Sequence, residues 1–218
     1  MKKIFLSVLA IAAMATTANA QLWFGGSVSF SHEGGVEKTK DKDIDSPSSS
    51  RFSFYPMAGF DLNEKLAIGG KLELSCGTSK DTRFGSEDNE IKTSSTSFGI
   101  VPFARYKFVE FNKFGLVAEA GLPIRTRSSK TTQGSNTTKG DPQNSIGIYV
   151  LPMLTYSLND HFQLECGLDF LSLNATHSVL KDQDDKKHKT VRNSFNFGAD
   201  TRTVATLGNI TIGFIYKL

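Results

Sequence analysis

The residues with chemistry to offer are ionic, and they share a parity. Asp61, Lys71, Glu73, Arg105, Lys107, Glu119, Arg125, Glu165, Asp169 and Lys217 are all odd-numbered, and each lies in a stretch where apolar and polar residues alternate. Five are basic and five acidic, so a face that gathers them balances in sign, as a paired polar interior requires. Such a set points to ion pairing, or to the lining of a conduit, before it points to acid–base catalysis. His32, His161, His177 and His188 fall in different segments without the paired spacing of metal ligands. No nucleophile elbow, phosphate-binding loop or dinucleotide fingerprint occurs, so no cofactor and no metal is expected.

Strands must position the ionic set. The stretch Arg51 to Leu74 is the clearest: Phe52, Phe54, Pro56, Ala58, Phe60 and Leu62 alternate with Ser53, Tyr55, Met57, Gly59 and Asp61. Asn63, Glu64 and Lys65 interrupt, and Leu66, Ile68, Leu72 and Leu74 resume opposite Ala67, Lys71 and Glu73, which predicts a tight hairpin. The same hairpin returns with Pro152, Met153, Tyr156, Leu158, Asn159, Asp160, Phe162, Leu164 and Leu168. A looser third copy shares Pro102, Tyr106 and Phe108, so one antiparallel unit is reused. Prolines inside strands remove a ladder donor, and bulges are expected at Pro56, Pro102 and Pro152.

Eight stretches carry the alternation: Leu22 to Ser31, Phe52 to Leu62, Leu66 to Cys76, Phe98 to Phe108, Phe114 to Arg125, Ile146 to Leu158, Phe162 to Phe170 and Ile210 to Leu218. Not one of their even-numbered residues is charged, although charged residues make up 22% of the chain. An eight-stranded antiparallel up-and-down barrel follows, and alternation alone leaves open which face looks outward. A soluble lipocalin-like binder turns the apolar face in; a transmembrane barrel turns it out. Three features favour the second. The apolar face is bulky and aromatic on nearly every strand, the other face balances its charges, and Phe60, Tyr106, Phe108, Phe114, Tyr156, Phe162 and Tyr216 cluster where strands meet short turns, as an interfacial belt does.

The connections also alternate. Short turns fall at Asn63 to Lys65, Val109 to Lys113 and Asn159 to His161. Long polar, mobile loops are expected near Gly34 to Ser50, Gly77 to Ser97, Ser128 to Ser145 and beyond His177. Basic residues near that rim, Arg51, Lys80, Arg83, Arg125 and Arg127, are candidates for contact with lipid phosphates. His32 and His177 fall there too, and a lipid-modifying enzyme would need one of them to meet a serine and an acid. Cys76 and Cys166 lie on strands on opposite sides of such a barrel, so no disulfide is expected.

Residues 1–20 have the pattern of a signal peptide: Lys2 and Lys3, an apolar middle, and Ala18-Asn19-Ala20. Residues 21–218 then form one barrel domain. Taking Lys2 and Lys3 from 25 basic residues leaves 23 against 22 acidic ones, a formal charge of +1. That near-neutrality gives no electrostatic case for nucleic acid.

The signal peptide, the repeated P-M-x-x-[FY]-x-L-N-[ED] hairpin and the closing alternation of Ile210, Ile212, Phe214, Tyr216 and Leu218 together resemble the small outer-membrane β-barrel family of Gram-negative bacteria, porin-like and of OmpA/OmpX type. The resemblance implies a bacterial outer-membrane location, outer-membrane lipids as surroundings, and a C-terminal strand read by the barrel-insertion machinery. Such strands usually close on Phe, where this chain has Leu218. The expected function is structural or surface-interacting, with a polar plugged interior, a partner at the long loops and a monomeric state. A narrow channel for small solutes is the alternative, distinguished by conductance. Between Phe170 and Ile210 the parity breaks, with Leu171, Leu173, Phe195 and Phe197 on odd positions. Two readings account for it. Either Asn193 to Thr206 extends the last strand through a bulge near Gly208 and Asn209, or two extra strands make ten.

Overall fold

Strands with one uncharged face leave their backbone edges unpaired unless the sheet closes on itself. The computed structural model describes residues 21–38, 43–45, 47–81, 90–168, 172–181, 189–197 and 210–218, and these form fourteen strands and no helix. In chain order they are β1 (Gln21–Glu33), β2 (Val36–Lys38), β3 (Asp43–Asp45), β4 (Ser48–Asp61), β5 (Leu66–Asp81), β6 (Ile91–Phe111), β7 (Phe114–Gly121), β8 (Ile124–Gln133), β9 (Asn136–Lys139), β10 (Gln143–Ser157), β11 (Phe162–Gly167), β12 (Leu173–Lys181), β13 (Lys189–Phe197) and β14 (Ile210–Lys217). The expected signal segment lies outside the described residues.

Eight staves make the ring. β1 pairs with β4, β4 with β5, and β5 with β6. β7 and β8 pair with β6 in one register from Ile91 to Lys107, interrupted at Leu122 and Pro123 and shifted by one residue between Lys107 and Val109. β10 takes β7 and β8 on one side and β11 and β12 on the other. β13 pairs with β12, β14 with β11, and β14 returns to β1, from Trp23 against Lys217 to Phe30 against Ile210. Every pairing is antiparallel. β2 and β3 form a separate small hairpin, and β9 extends the β8 hairpin.

The apolar face looks outward. Phe52, Leu72 and Phe214 are about half exposed, whereas Glu119 is 0% and Trp23 1% exposed. A ligand-carrying barrel with a greasy lumen is therefore the wrong topology for this chain. Aromatic pairs ring the short-turn end as expected: Tyr106 with Phe108, Phe114 with Tyr156, and Phe162 with Tyr216.

The repeated hairpin closes in the same way twice. Asn63 Oδ1 accepts from the amides of Lys65 and Leu66 at 2.9 and 2.8 Å, and Asn159 Oδ1 accepts from those of His161 and Phe162 at 2.9 and 2.8 Å. An asparagine side chain that stands in for a backbone acceptor fixes each turn. The third turn is shorter than the sequence suggests. β6 runs on to Phe111, and Asn112 takes a left-handed φ of 53°.

Three expectations need correction. First, Pro56 and Pro102 cause no bulges, whereas Pro152 stands where the register of β10 against β11 and β12 changes. Pairing of β4 with β5 lapses over Tyr55 and Pro56 without a register change, Pro102 stands opposite the Leu122–Pro123 break, and Pro152 stands opposite Leu168, where β11 has ended. Each missing N–H is absorbed by a one-sided gap, and a register shift away from any proline falls between Lys107 and Val109. Second, much of the expected loop sequence is strand. Ser128 to Lys139 is a hairpin turning at Gly134, φ 57°, with cross-strand hydroxyl pairs Thr93–Thr131 and Thr132–Thr137. Hydroxyl-rich alternation satisfies a ladder without burying anything. Third, the parity break begins one stave earlier than expected: β13 pairs with β12 as β14 pairs with β11, so β13 is the outer part of the last stave, as the extension reading has it, and no extra pair of staves occurs among the described residues. Between the pairs Met153–Gly167 and Val150–Leu173, β10 advances three residues while its neighbour advances six. That odd excess swaps the faces, so Leu173, Ala175, His177 and Val179 pair outward with Phe197, Phe195, Asn193 and Val191. Eight staves remain; Gly208 and Asn209 lie outside the described residues.

Candidate functional site

Odd-numbered residues of the staves meet in the lumen, where register sets their heights. β6 places Arg105 directly across from Glu119 of β7. Arg105 Nε donates to Glu119 Oε2 at 2.9 Å, and its Nη1 and Nη2 donate to Glu165 Oε1 and Oε2 at 2.7 and 3.1 Å. Glu119 also accepts from Lys71 Nζ and the Tyr149 hydroxyl. Two cations and two carboxylates cancel. The guanidinium lies 5.1 Å from the Trp23 ring and 4.9 Å from that of Phe103, and Trp23, Met57, Phe103 and Ile215 form the buried apolar layer around it. Among the described residues, no buried side-chain nitrogen or oxygen lacks a partner, so the array is fully satisfied, as a buried ionic group must be.

Toward the short turns, Asp61 accepts from Trp23 Nε1 at 3.0 Å and lies 3.5 Å from Lys217 Nζ. Lys107 pairs with Glu110 at 2.8 Å, partly in solvent. Toward the long-loop end, Arg125 Nε donates to Glu73 Oε2 at 2.6 Å. Asp169 lies outside the described residues. Parity alone gave no height, so the sequence reading did not separate these three levels. It also passed over Trp23, Phe103 and Tyr149, although all three have the inward parity.

Above the plug the lumen widens into an open vestibule of about 600 Å³. Fourteen of the twenty-one described residues lining it are serine or threonine, among them Ser53, whose hydroxyl donates to Ser75 at 3.0 Å. Arg51, Arg125 and Arg127 are the cations of this wall and Glu73 its carboxylate. The outward face changes from Ile124 to Thr126 and Ser128 at this level, so Arg127 stands above the apolar band. Burial, and then the Arg51 guanidinium, hold Arg127 below the ordinary arginine range. Arg127 Nη2 donates to Ser95 Oγ at 3.1 Å. Three of the basic residues read as lipid-phosphate contacts thus line the lumen; Lys80 pairs with Glu90 at 3.2 Å, and Arg83 lies outside the described residues. Below the plug a cavity of about 60 Å³ shares no lining residue with the vestibule.

The histidines do not converge. His32 Nδ1 lies 2.8 Å from Ser50 Oγ, His161 Nδ1 donates to the Lys217 carbonyl at 2.9 Å, and His177 Nδ1 donates to Asn193 Oδ1 at 2.7 Å. Those partners are neutral, and His188 lies outside the described residues. Among the described residues no group of three potential ligands gathers to hold a metal, and Cys76 and Cys166 are free thiols.

No protein-family description and no curated protein matches the chain. Solved structures similar to it include Neisserial surface protein A, at 14% identity and a TM-score of 0.35, covering 91% of this chain and 99% of that one. The attachment invasion locus protein Ail of Yersinia pestis is similar at 11% identity and a TM-score of 0.36, covering 91% and 97%. A major outer membrane protein from Thermus thermophilus is similar at 13% identity and a TM-score of 0.45, covering 91% and 99%. At such values the barrel assignment rests on this chain's own strand pairing.

Proposed function

We propose that the protein is an integral β-barrel of a bacterial outer membrane, monomeric and non-catalytic, with a structural or surface-interaction role carried by its long-loop end. The observation that carries this reading is the inverted surface: an uncharged, aromatic-rimmed exterior around a neutral ionic plug. Along β4, nine steps from Phe52 to Asp61 span about 31 Å, or about 23 Å along the axis at a tilt near 40°, against an apolar band of about 25 Å in such barrels. Lipid tails are the surroundings this surface fits, and β14 is the strand an insertion machinery would read.

The plug supports the non-conducting part of the reading, because the two cavities are separated by the buried layer of Arg105, Glu119, Phe103 and Met57. The neutral partners of His32, His161 and His177 support the non-catalytic part. The mature chain should require detergent for extraction and migrate faster on a gel unheated than boiled. In planar bilayers it should give no discrete conductance. A chain that stays in solution without detergent contradicts the membrane reading; stepwise single-channel currents contradict the plug.

A further inference from the structure

Among the described residues, the strand-borne lumen cations at or below the middle of the barrel have anionic partners: Lys71 and Arg105 at the plug, Lys107 and Lys217 toward the turns, Arg125 at the vestibule floor. Arg51 and Arg127 depart from that rule. Among the described residues neither has a carboxylate within ion-pair distance. They sit on β4 and β8, with β5 and β6 between them in the sheet; both line the vestibule, and the Arg51 charge reaches the Arg127 guanidinium across it. Three arginines against Glu73 leave the described wall at +2. Both guanidiniums are exposed to the vestibule, so solvent softens their repulsion, an anion shared between them would remove it, and their planar forks match the oxygens of a phosphate. A phosphate monoester brings about −1.5 to −2 charges at neutral pH, which closes the balance.

The rest of the wall narrows the ligand further. Serine and threonine hydroxyls donate and accept alike, as sugar hydroxyls do, and a wall of them offers little apolar surface for an acyl chain or a drug-like ring. The volume falls within the range of ligand cavities and admits one or two sugar rings. We propose that the vestibule binds a phosphorylated saccharide, its phosphate between Arg51 and Arg127 and its hydroxyls on the serine and threonine wall. This rests on the closed-barrel fold and not on the protein's location.

The test uses the mature chain folded in phosphatidylcholine nanodiscs, titrated calorimetrically with glucose 6-phosphate, with glucose and inorganic phosphate alongside. Glucose 6-phosphate should bind, and each half-ligand should bind about ten-fold more weakly or worse. Arg51→Gln and Arg127→Gln should each weaken binding about ten-fold or more, the usual loss for a charge-assisted hydrogen bond. Ser95→Ala, which leaves every charge in place, should weaken it less. A second arm adds lipopolysaccharide to the discs: competition with glucose 6-phosphate identifies a membrane glycolipid as the source, and none identifies a soluble sugar phosphate. The proposal is overturned by no binding at about 10 mM, by unchanged affinity in the double arginine variant, or by inorganic phosphate binding as tightly as the sugar phosphate. Heat-modifiable migration, run on each sample, separates loss of the site from loss of the barrel.

Discussion

Glu119 is the residue on which the plug turns, and Glu119→Gln tests its energetics without changing volume. The carboxylate is fully buried and accepts from Lys71, Arg105 and Tyr149. Arg105 keeps its two-point contact with Glu165 in the variant, but Lys71, only 13% exposed, loses its anion, and the plug moves from neutral to +1. Leaving one partner of a buried pair uncompensated costs about 3 to 5 kcal/mol. With a urea dependence of about 2 kcal/mol per molar, a loss of about 3 kcal/mol lowers the unfolding midpoint by about 1.5 M. Trp23 is the sole tryptophan, buried and 5.1 Å from the Arg105 guanidinium, so its fluorescence reports on this layer in urea titrations of vesicle-inserted protein. Lys71→Met in the Glu119→Gln background restores neutrality and should recover at least half the loss. A single-variant shift below about 0.3 M, or no recovery in the double variant, would refute the view that charge compensation governs this layer.

Other perturbations separate the remaining features. Asn63→Ala and Asn159→Ala each remove two side-chain bonds to turn amides and should each cost about 1 kcal/mol in the same titration; equal losses are expected because the two turns have the same geometry. Gly59→Ala places a Cβ 2.4 Å from the Trp23 ring and 2.7 Å from the Ile68 carbonyl, so the ring must move and the Trp23 emission maximum should shift in the folded protein. Leu72→Arg puts a charge near the middle of the apolar band and should cost about 2 to 4 kcal/mol in vesicles; an unchanged midpoint would place that face in water.

Faces were legible in the sequence; levels were not. Period-two alternation decides which residues share a surface, and the charge-free even positions, with the aromatic rim, sufficed to turn that surface outward. Nothing in alternation says how far one strand slides past the next, so Glu73 at the vestibule floor, Glu119 in the plug and Asp61 near the turns looked equivalent. The polar segments beyond the band were hidden for a related reason. Ser128 to Lys139 buries almost nothing, and its strand character comes from cross-strand pairing that a single segment cannot display. The exchange of faces before Leu173 is an insertion measured against β10, and a lone strand carries no record of its neighbour's count.

The turn at Asn112 carries that lesson into the plug. Phe111 pairs with Phe114 at this turn, and if the register continued unbroken Arg105 would meet Ala120, a residue of the outward face. The extra residue at Phe108 shifts the ladder by one position, so Arg105 meets Glu119. It also sends Val109 and Phe111, odd-numbered but apolar, out to the surface, where they are 56% and 71% exposed. A bulge of one residue thus reconciles the tight turn, the aromatic rim below it and the ion pair above it. Strand pairing without that bulge would set the guanidinium opposite a methyl group bound for the exterior. The ionic plug therefore depends on a backbone irregularity outside the plug as much as on the charges themselves.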